Sequence, residues 1–125
     1  MQILIAPDKF KDSLSSEEVC NAIKDGVKLY DSSISTASFP MADGGDGTAR
    51  ILTGHSGGKM INLTVHDPLM REIKSSYGIS GDGKTAFIEM AAASGIELLQ
   101  ENERNCLITS TYGTGELLAD AVRRG

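Results

Sequence analysis

The first part of the chain alternates short apolar runs with a stretch of helical periodicity. Residues 3–6 are continuously apolar and are followed by Pro7, which predicts a short buried strand covered on both faces. Ser15 and Glu18 have the spacing of a capping box, and apolar residues recur at helical spacing after them. A helix is therefore predicted over 16–30.

A second strand and a second helix follow in the same order. The sequence predicts a strand over 34–39 and then a short helix that ends near Gly54. Such β-α-β-α order is typical of a mostly parallel sheet, in which ligands bind beyond the carboxyl ends of the strands. Residues 7–13 and 41–48 fall at those ends, so both loops are candidate ligand loops.

The pattern changes after residue 57. Residues 61–65 alternate between apolar and polar side chains, and further strands are predicted over 73–79 and 85–90. These three segments indicate an antiparallel meander and a second lobe that begins near 57. A last amphipathic helix is predicted from residue 114 or 115 to Arg124.

Composition narrows the classes of function. The chain has 125 residues, 12 basic and 17 acidic, with a net charge of −5, no tryptophan and no basic run, which argues against nucleic-acid binding. Cys20 and Cys106 are far apart in no metal-ligand spacing, so we expect reduced thiols and no disulfide. No signal-peptide pattern and no apolar run of membrane length are present, and we expect a cytoplasmic protein without a membrane partner.

The segment 40–48, Pro-Met-Ala-Asp-Gly-Gly-Asp-Gly-Thr, concentrates carboxylates and glycines where a strand leads into a helix. Glycine lets the backbone approach a ligand, a helix start offers N–H groups to an anion, and aspartate can hold a metal or orient a hydroxyl. The alternative is an ordinary strand-to-helix turn in which Asp46 or Thr48 caps the helix. This loop alone leaves both interpretations open.

Three other segments carry candidate chemistry. Residues 8–13 combine two lysines, two aspartates and a serine, which suits an anion, although a solvated polar loop is the simpler alternative. Residues 109–116 bring hydroxyls and glycines to a helix start, where a phosphate or a plain N-cap fits. Glu89 is either a buried, hydrogen-bonded carboxylate or a ligand-facing one, and His66 is interpreted as an exposed strand residue. Residues 81–86 match a G-x-G-x-x-A pattern but lie between strands, so a hairpin turn is predicted there.

Four motifs taken together resemble the N-terminal part of the bacterial glycerate kinase family. They are IAPDKFKDSL at 5–14, MADGGDGT at 41–48, IEMAAASG at 88–95 and TYGTGEL at 111–117. They occur in the family's order and spacing along the whole chain. Family members commonly have Ser or Ala at the position of Lys9 and Glu at that of Asp46.

The resemblance implies a fold of two α/β lobes, one of them a Rossmann-like (flavodoxin-like) parallel-sheet lobe and the other containing antiparallel hairpins. By this analogy residues 1–56 and 107–125 belong to the Rossmann-like lobe, and 57–106 to the second lobe. Family members are considerably longer than this chain. The resemblance therefore implies an N-terminal portion of a two-domain kinase.

The implied activity is ATP-dependent phosphorylation of glycerate to phosphoglycerate, with Mg²⁺, in a protein that is a possible homodimer. A non-catalytic module that binds phosphate or a small acid is the alternative. Asp43, Lys11 and Asp8 are the expected catalytic residues, and Asp43 is also the expected metal ligand. The expected substrate- or phosphate-binding residues are Lys9, Ser13, Gly44, Gly45, Asp46, Gly47, Thr48, Glu89, Ser94, Gly113, Thr114 and Gly115.

Overall fold

The computed structural model describes residues 1–10 and 13–125 and shows a mixed α/β chain. Its contacts divide into two compact units, Met1–Asp43 and Gly44–Gly125. The first unit contains a parallel two-stranded sheet and the second an antiparallel three-stranded sheet. The predicted combination of a parallel α/β part and an antiparallel part is confirmed.

The first unit is a single β-α-β arrangement. Strand β1 (Gln2–Ile5) pairs in parallel with β2 (Ser35–Ser38), and helix α1 (Ser16–Tyr30) connects them. The helix has the predicted bounds because its capping box forms: the Ser15 hydroxyl accepts the Glu18 N–H at 3.3 Å, and the Glu18 carboxylate accepts the Ser15 N–H at 2.8 Å.

Helix α1 covers one face of this small sheet. Val19 and Cys20 are buried with Ile5, and the Cys20 sulfur lies 3.9 Å from the carbonyl oxygen of Ile5. Burial raises the pKa of the Cys20 thiol, as expected of an unreactive core cysteine. The prediction that both faces of β1 are covered is wrong, because Leu4, whose side chain points to the opposite face, is 65% exposed.

The second unit is built on a long antiparallel hairpin. Strand β3 (Lys59–His66) pairs with β4 (Glu72–Ile79) along its full length, and the short β5 (Ala86–Phe87) adds to β4. The connection after β4 is the predicted hairpin turn, with the Ser80 N–H donating to the Thr85 carbonyl at 2.9 Å. The helical elements of this unit are α2 (Thr48–His55), α3 (Ala91–Ser94), two 3-10 turns (Ile96–Leu98 and Glu101–Glu103) and α4 (Tyr112–Arg124).

The core of the second unit lies between the sheet and two helices. Val65 and Tyr77 from the hairpin pack with Ala93 of α3 and Leu117 of α4. The Tyr77 hydroxyl donates to the Asp120 carboxylate at 2.9 Å, so its polar end is satisfied although its side chain is fully buried.

Helix α2 packs closely on β4 at Gly78. A Cβ at that position would overlap the hydroxyl of Thr53, which is itself buried and donates to the Ala49 carbonyl at 2.5 Å. In the described chain both α2 and α4 contact the antiparallel hairpin. The assignment of residues 1–56 and 107–125 to one lobe of a longer protein stays a prediction.

Across residues 1–10 and 13–125, we find no helix with the length and the hydrophobicity that a bilayer crossing requires.

Candidate functional site

The carboxyl ends of the parallel strands lie side by side. Beyond the paired residues of β1 and β2, the Met41 N–H donates to the Pro7 carbonyl at 2.9 Å. Asp8 and Asp43 follow that hydrogen bond by one and two residues and are both exposed. Two of the predicted catalytic carboxylates therefore leave the sheet from neighbouring strands at the ligand-binding edge of such a sheet.

Short-range hydrogen bonds are present among the described residues that follow β1. The Asp8 carboxylate accepts the Lys9 N–H at 2.7 Å, and the Ser13 N–H donates to the Phe10 carbonyl at 3.0 Å. Lys9 is half-buried, whereas Ser13 is exposed. Lys11, a predicted catalytic residue, lies outside the described residues.

The glycine-aspartate loop, residues 44–48, forms a tight turn into α2. Gly44 and Gly47 have φ of +99° and +91°, which residues with a Cβ rarely adopt. The Gly45 carbonyl accepts both the Thr48 N–H at 3.2 Å and the Thr48 hydroxyl at 2.7 Å. Gly47 is the N-cap residue of α2, so the alternative that Asp46 or Thr48 provides a side-chain cap is wrong.

Glu89 contacts the start of α2 from 42 positions further along the chain. Its two carboxylate oxygens accept the Gly47 N–H at 3.0 and 3.1 Å, and Oε2 also accepts the Ala49 N–H at 3.2 Å. Its side chain leaves the predicted strand over 85–90 to make these contacts, and β5 ends at Phe87. Glu89 is therefore a hydrogen-bonded carboxylate that is only half-buried, and its role as a ligand-facing residue stays a prediction.

The start of α4 collects the remaining predicted residues. The hydroxyls of Ser94 and Thr114 lie 2.6 Å apart. Gly113 is buried, and a Cβ there would overlap the carbonyl oxygen of His66, so only glycine permits this approach. Gly115 has open space around its Cα and donates its N–H to the Thr111 carbonyl at 3.3 Å.

His66 is paired, contrary to the interpretation of it as a simple exposed strand residue. Its backbone N–H donates to Glu116 Oε2 at 2.8 Å, and its Nδ1 lies 3.0 Å from Glu116 Oε1. Burial alone would raise the pKa of Glu116, but these hydrogen bonds outweigh it and hold that pKa below its usual value. The sequence did not indicate this pair because its members are separated by 50 positions.

A cavity of about 640 Å³ lies beside the segment that precedes α4. Ser94 lines it together with the hydroxyl-bearing residues 109–111. Arg104 is the single charged side chain among its described lining residues, and its guanidinium makes no hydrogen bond or ion pair with any part of the chain that the structure describes. Sequence reasoning missed Arg104 because it is an isolated cation in a polar loop.

No group of three His, Cys, Asp or Glu side chains within residues 1–10 and 13–125 is placed to hold a metal ion. Magnesium in kinases is commonly bound by one or two carboxylates together with substrate phosphates, so such a group is not required. Asp43 as a magnesium ligand stays a prediction.

Comparison with known proteins identifies the family. The model of the glycerate kinase family matches residues 3–125. The chain belongs to the glycerate kinase family. The predicted resemblance, which rested on four motifs, is confirmed.

Relatives within the family are similar along the whole chain. A glycerate kinase of Haemophilus influenzae is 49% identical and a glycerate 2-kinase of Escherichia coli is 46% identical, each over 125 residues. Each alignment covers 100% of this chain and 33% of the relative. This glycerate kinase family chain therefore spans about a third of the length of the curated relatives it matches.

A solved structure agrees with this family assignment. The crystal structure of a candidate glycerate kinase 2 from Salmonella typhimurium LT2 aligns with a TM-score of 0.79 and 41% identity. The alignment covers 98% of this chain and 33% of that one. The described α/β arrangement is thus that of a glycerate kinase family member over the corresponding third.

Proposed function

We propose that the full-length protein, in which this chain is continued to the length of its relatives, transfers a phosphoryl group from ATP to glycerate. The observation that carries the proposal is the match of the glycerate kinase family along residues 3–125. The reaction forms phosphoglycerate and ADP. A non-catalytic module that binds phosphate or a small acid is the outcome that the assay below distinguishes.

The paired strand ends of the first unit support a catalytic role for Asp8 and Asp43. Carboxylate oxygens are the donors that Mg²⁺ prefers, so their chemistry fits the metal of a kinase. In the proposal Asp43 holds Mg²⁺ or orients the glycerate hydroxyl, and Asp8 assists from the neighbouring strand end. Bound Mg²⁺ and ATP would supply charge neutralisation and the transferred group, respectively.

Positive charge for the anionic substrates comes from lysines near the same strand end. Lys9 and Lys11 follow β1 in the sequence, and Lys11 is assigned the neutralisation of phosphate charge. Ser13 contributes a hydroxyl to this group. For Lys11→Met we expect weaker binding of glycerate or ATP, and normal KM values for both would contradict that role.

In the second unit, anion contacts are assigned to the backbones of Gly44, Gly45 and 113–115 and to the hydroxyls of Thr48, Ser94 and Thr114. Arg104 is a further candidate contact for an anionic group of either substrate, because it is the single charged side chain among the described residues that line its cavity.

A coupled ADP-release assay tests the activity. It compares this chain with the full-length protein, using D-glycerate, ATP and magnesium, with a control that omits glycerate. We expect glycerate-dependent ADP release from the full-length protein. ADP release from neither form would contradict the kinase proposal and favour the binding module or a different hydroxy acid.

Asp43→Asn tests the central carboxylate. We expect loss of turnover in the full-length protein with an unchanged unfolding transition, because Asp43 is exposed at the end of the first unit. The matched control is Asp25→Asn on exposed α1 surface, which is expected to keep normal kcat. An unchanged kcat in Asp43→Asn would remove this residue from the mechanism.

The cytoplasm is the proposed location, and a homodimer is the proposed assembly. Sedimentation of the full-length protein tests the assembly directly, since a monomeric mass at assay concentration would contradict the dimer.

A further inference from the structure

The N-terminus of helix α2 has no capping side chain from residues near it in sequence. Its N-cap residue is Gly47, which has no side chain to bond the first turn. The acceptor comes instead from Glu89, 42 positions away, through the three hydrogen bonds to Gly47 and Ala49. A carboxylate therefore lies where the free N–H groups and the helix dipole favour an anion.

We propose that Glu89 is a built-in anion that permanently fills the N-terminus of α2 and thereby positions the glycine-aspartate loop. Two features support an occupied position rather than an open ligand site. Both carboxylate oxygens are engaged by Gly47, and the same carboxylate reaches the next free N–H of the helix at Ala49. A phosphate at this helix start would have to displace a negatively charged side chain.

This assignment changes the role of Glu89 within the proposed function, on which its kinetic part rests. Glu89 was expected among the substrate- or phosphate-binding residues, but here it acts through Gly47 on the loop 44–48. It is a positioning residue, and phosphate contacts in the second unit must come from groups other than the backbone N–H groups of Gly47 and Ala49.

Chemical rescue tests the built-in anion without any activity measurement. In the full-length protein, Glu89→Ala should lower Tm by about 2–5 °C, because the N–H groups of exposed Gly47 and buried Ala49 lose a charged acceptor. Acetate should raise the Tm of Glu89→Ala more than an equal concentration of chloride does. The matched control is Glu97→Ala, an exposed glutamate in the same unit, for which acetate and chloride should act alike, as in wild type.

Glu89→Gln gives a second variant with nearly unchanged shape. Hydrogen exchange at Gly47 and Ala49 should accelerate about 10-fold in this variant, since a neutral amide is a weaker acceptor than a carboxylate. Exchange at Thr53, further along α2, should change little. Unchanged exchange at Gly47 and Ala49 would show that the charge of Glu89 does not hold the loop.

Inorganic phosphate provides the opposite test. In wild type it should leave exchange at Gly47 unchanged, whereas in Glu89→Ala it should slow that exchange. Protection of Gly47 by phosphate in wild type would overturn the proposal, because the helix start would then be an open anion site. Acetate that fails to stabilise Glu89→Ala beyond the chloride control would overturn it as well.

Kinetics of the full-length protein test the positioning role. A displaced loop should lower kcat by about 100-fold in Glu89→Ala, with KM for ATP within about threefold of wild type. Acetate should restore part of kcat. A large rise in KM with normal kcat would instead indicate direct substrate binding by Glu89. If wild type has no kinase activity, the proposed function fails, while the rescue and exchange experiments still decide the built-in anion.

Discussion

The buried carboxylate of Asp67 holds the turn between β3 and β4. Its Oδ1 accepts the backbone N–H groups of Leu69 at 2.8 Å and Arg71 at 2.9 Å, and its Oδ2 accepts Arg71 Nε at 2.5 Å. Arg71 also bonds Glu103 at 2.8 Å, which links this turn to the second 3-10 turn. The Arg71 side chain thus connects the hairpin to the loop that leads toward Arg104.

Asp67→Asn should lower the free energy of unfolding by about 2 kcal/mol, because Arg71 loses a charged partner and one acceptor becomes a donor. Glu103→Gln, whose carboxylate is more exposed, should lower the free energy of unfolding less than Asp67→Asn does. Urea unfolding of both variants measures the difference. Equal effects would show that burial of Asp67 adds nothing to its contribution.

Arg104→Ala should raise KM for glycerate or for ATP by about 10-fold or more in the full-length protein, because its guanidinium is the proposed contact for an anionic group of one of these substrates. Arg104→Lys should give an intermediate value, because lysine keeps the charge and loses the planar pair of donors. Arg123→Ala at the other end of α4 is the matched control. Unchanged KM values for both substrates in Arg104→Ala would exclude the proposed contact.

At the scale of elements, α4 is fixed to β3 by a backbone approach that needs glycine. Gly113 lies against the carbonyl oxygen of His66, and Glu116, one turn later, bonds the same residue through its backbone and ring. The start of α4 and the end of β3 are therefore held together by two residues of α4, Gly113 and Glu116, that both contact His66.

Gly113→Ala should destabilise the second unit by about 2–3 kcal/mol, because the new methyl group overlaps backbone that cannot rotate away. Gly115→Ala, in the same helix with open space around it, should be neutral or stabilise by up to about 1 kcal/mol. Thermal unfolding of the two variants gives the comparison. A destabilisation of similar size in both would mean that helix propensity, and not the contact with His66, sets the effect.

Elements with local signals were predictable. Helix α1 has the predicted bounds because both residues of its capping box, Ser15 and Glu18, lie within a segment of four residues. Strand β5 was predicted too long, because the length of a strand depends on partners that the local pattern does not contain. The coverage of Leu4 was also wrong, since apolar sequence alone does not supply the element that would bury it.

The sequence indicated which loops are candidates for the site, but it did not indicate the hydrogen bonds between residues of different segments. Asp8 and Asp43 were placed at one sheet edge by topology, and the hydrogen bond from Met41 to Pro7 agrees. The pairing of Glu89 with Gly47 and of His66 with Glu116 joins residues that are far apart in sequence. Such pairs depend on the packing of the whole second unit, which periodicity and spacing do not specify.

At the scale of the whole molecule, acid should destabilise the described fold. Burial raises the pKa of Asp67, but the hydrogen bonds from Arg71 and Leu69 outweigh it and leave the pKa lowered. The pKa of Glu116 is also lowered, because its hydrogen bonds with His66 outweigh the effect of burial. The pKa of Asp120 is lowered by hydrogen bonds from Arg124 and Tyr77. All three carboxylates are thus more acidic in the folded than in the unfolded chain.

A carboxyl group whose pKa is lower in the folded than in the unfolded chain binds more protons when the chain is unfolded. Its contribution to the free energy of unfolding is therefore complete above its pKa in the unfolded chain. With reference values of 3.8 for Asp and 4.5 for Glu, the contribution of these three carboxylates to the free energy of unfolding should be complete above about pH 5 and fall as pH drops below about 4.5. Urea unfolding at several pH values measures this. Asp67→Asn should show a smaller loss, and an identical pH profile would contradict the role of Asp67.

Tyr77 also gives the protein an optical probe of its own. The chain has no tryptophan and three tyrosines. Tyr30 is 88% exposed and Tyr112 is 54% exposed, whereas Tyr77 is fully buried and bonded to Asp120. Since rigid aromatic rings dominate near-UV circular dichroism, the tyrosine band of this chain should arise mainly from Tyr77. Loss of that band would therefore report the separation of α4 from the antiparallel hairpin, without any introduced label.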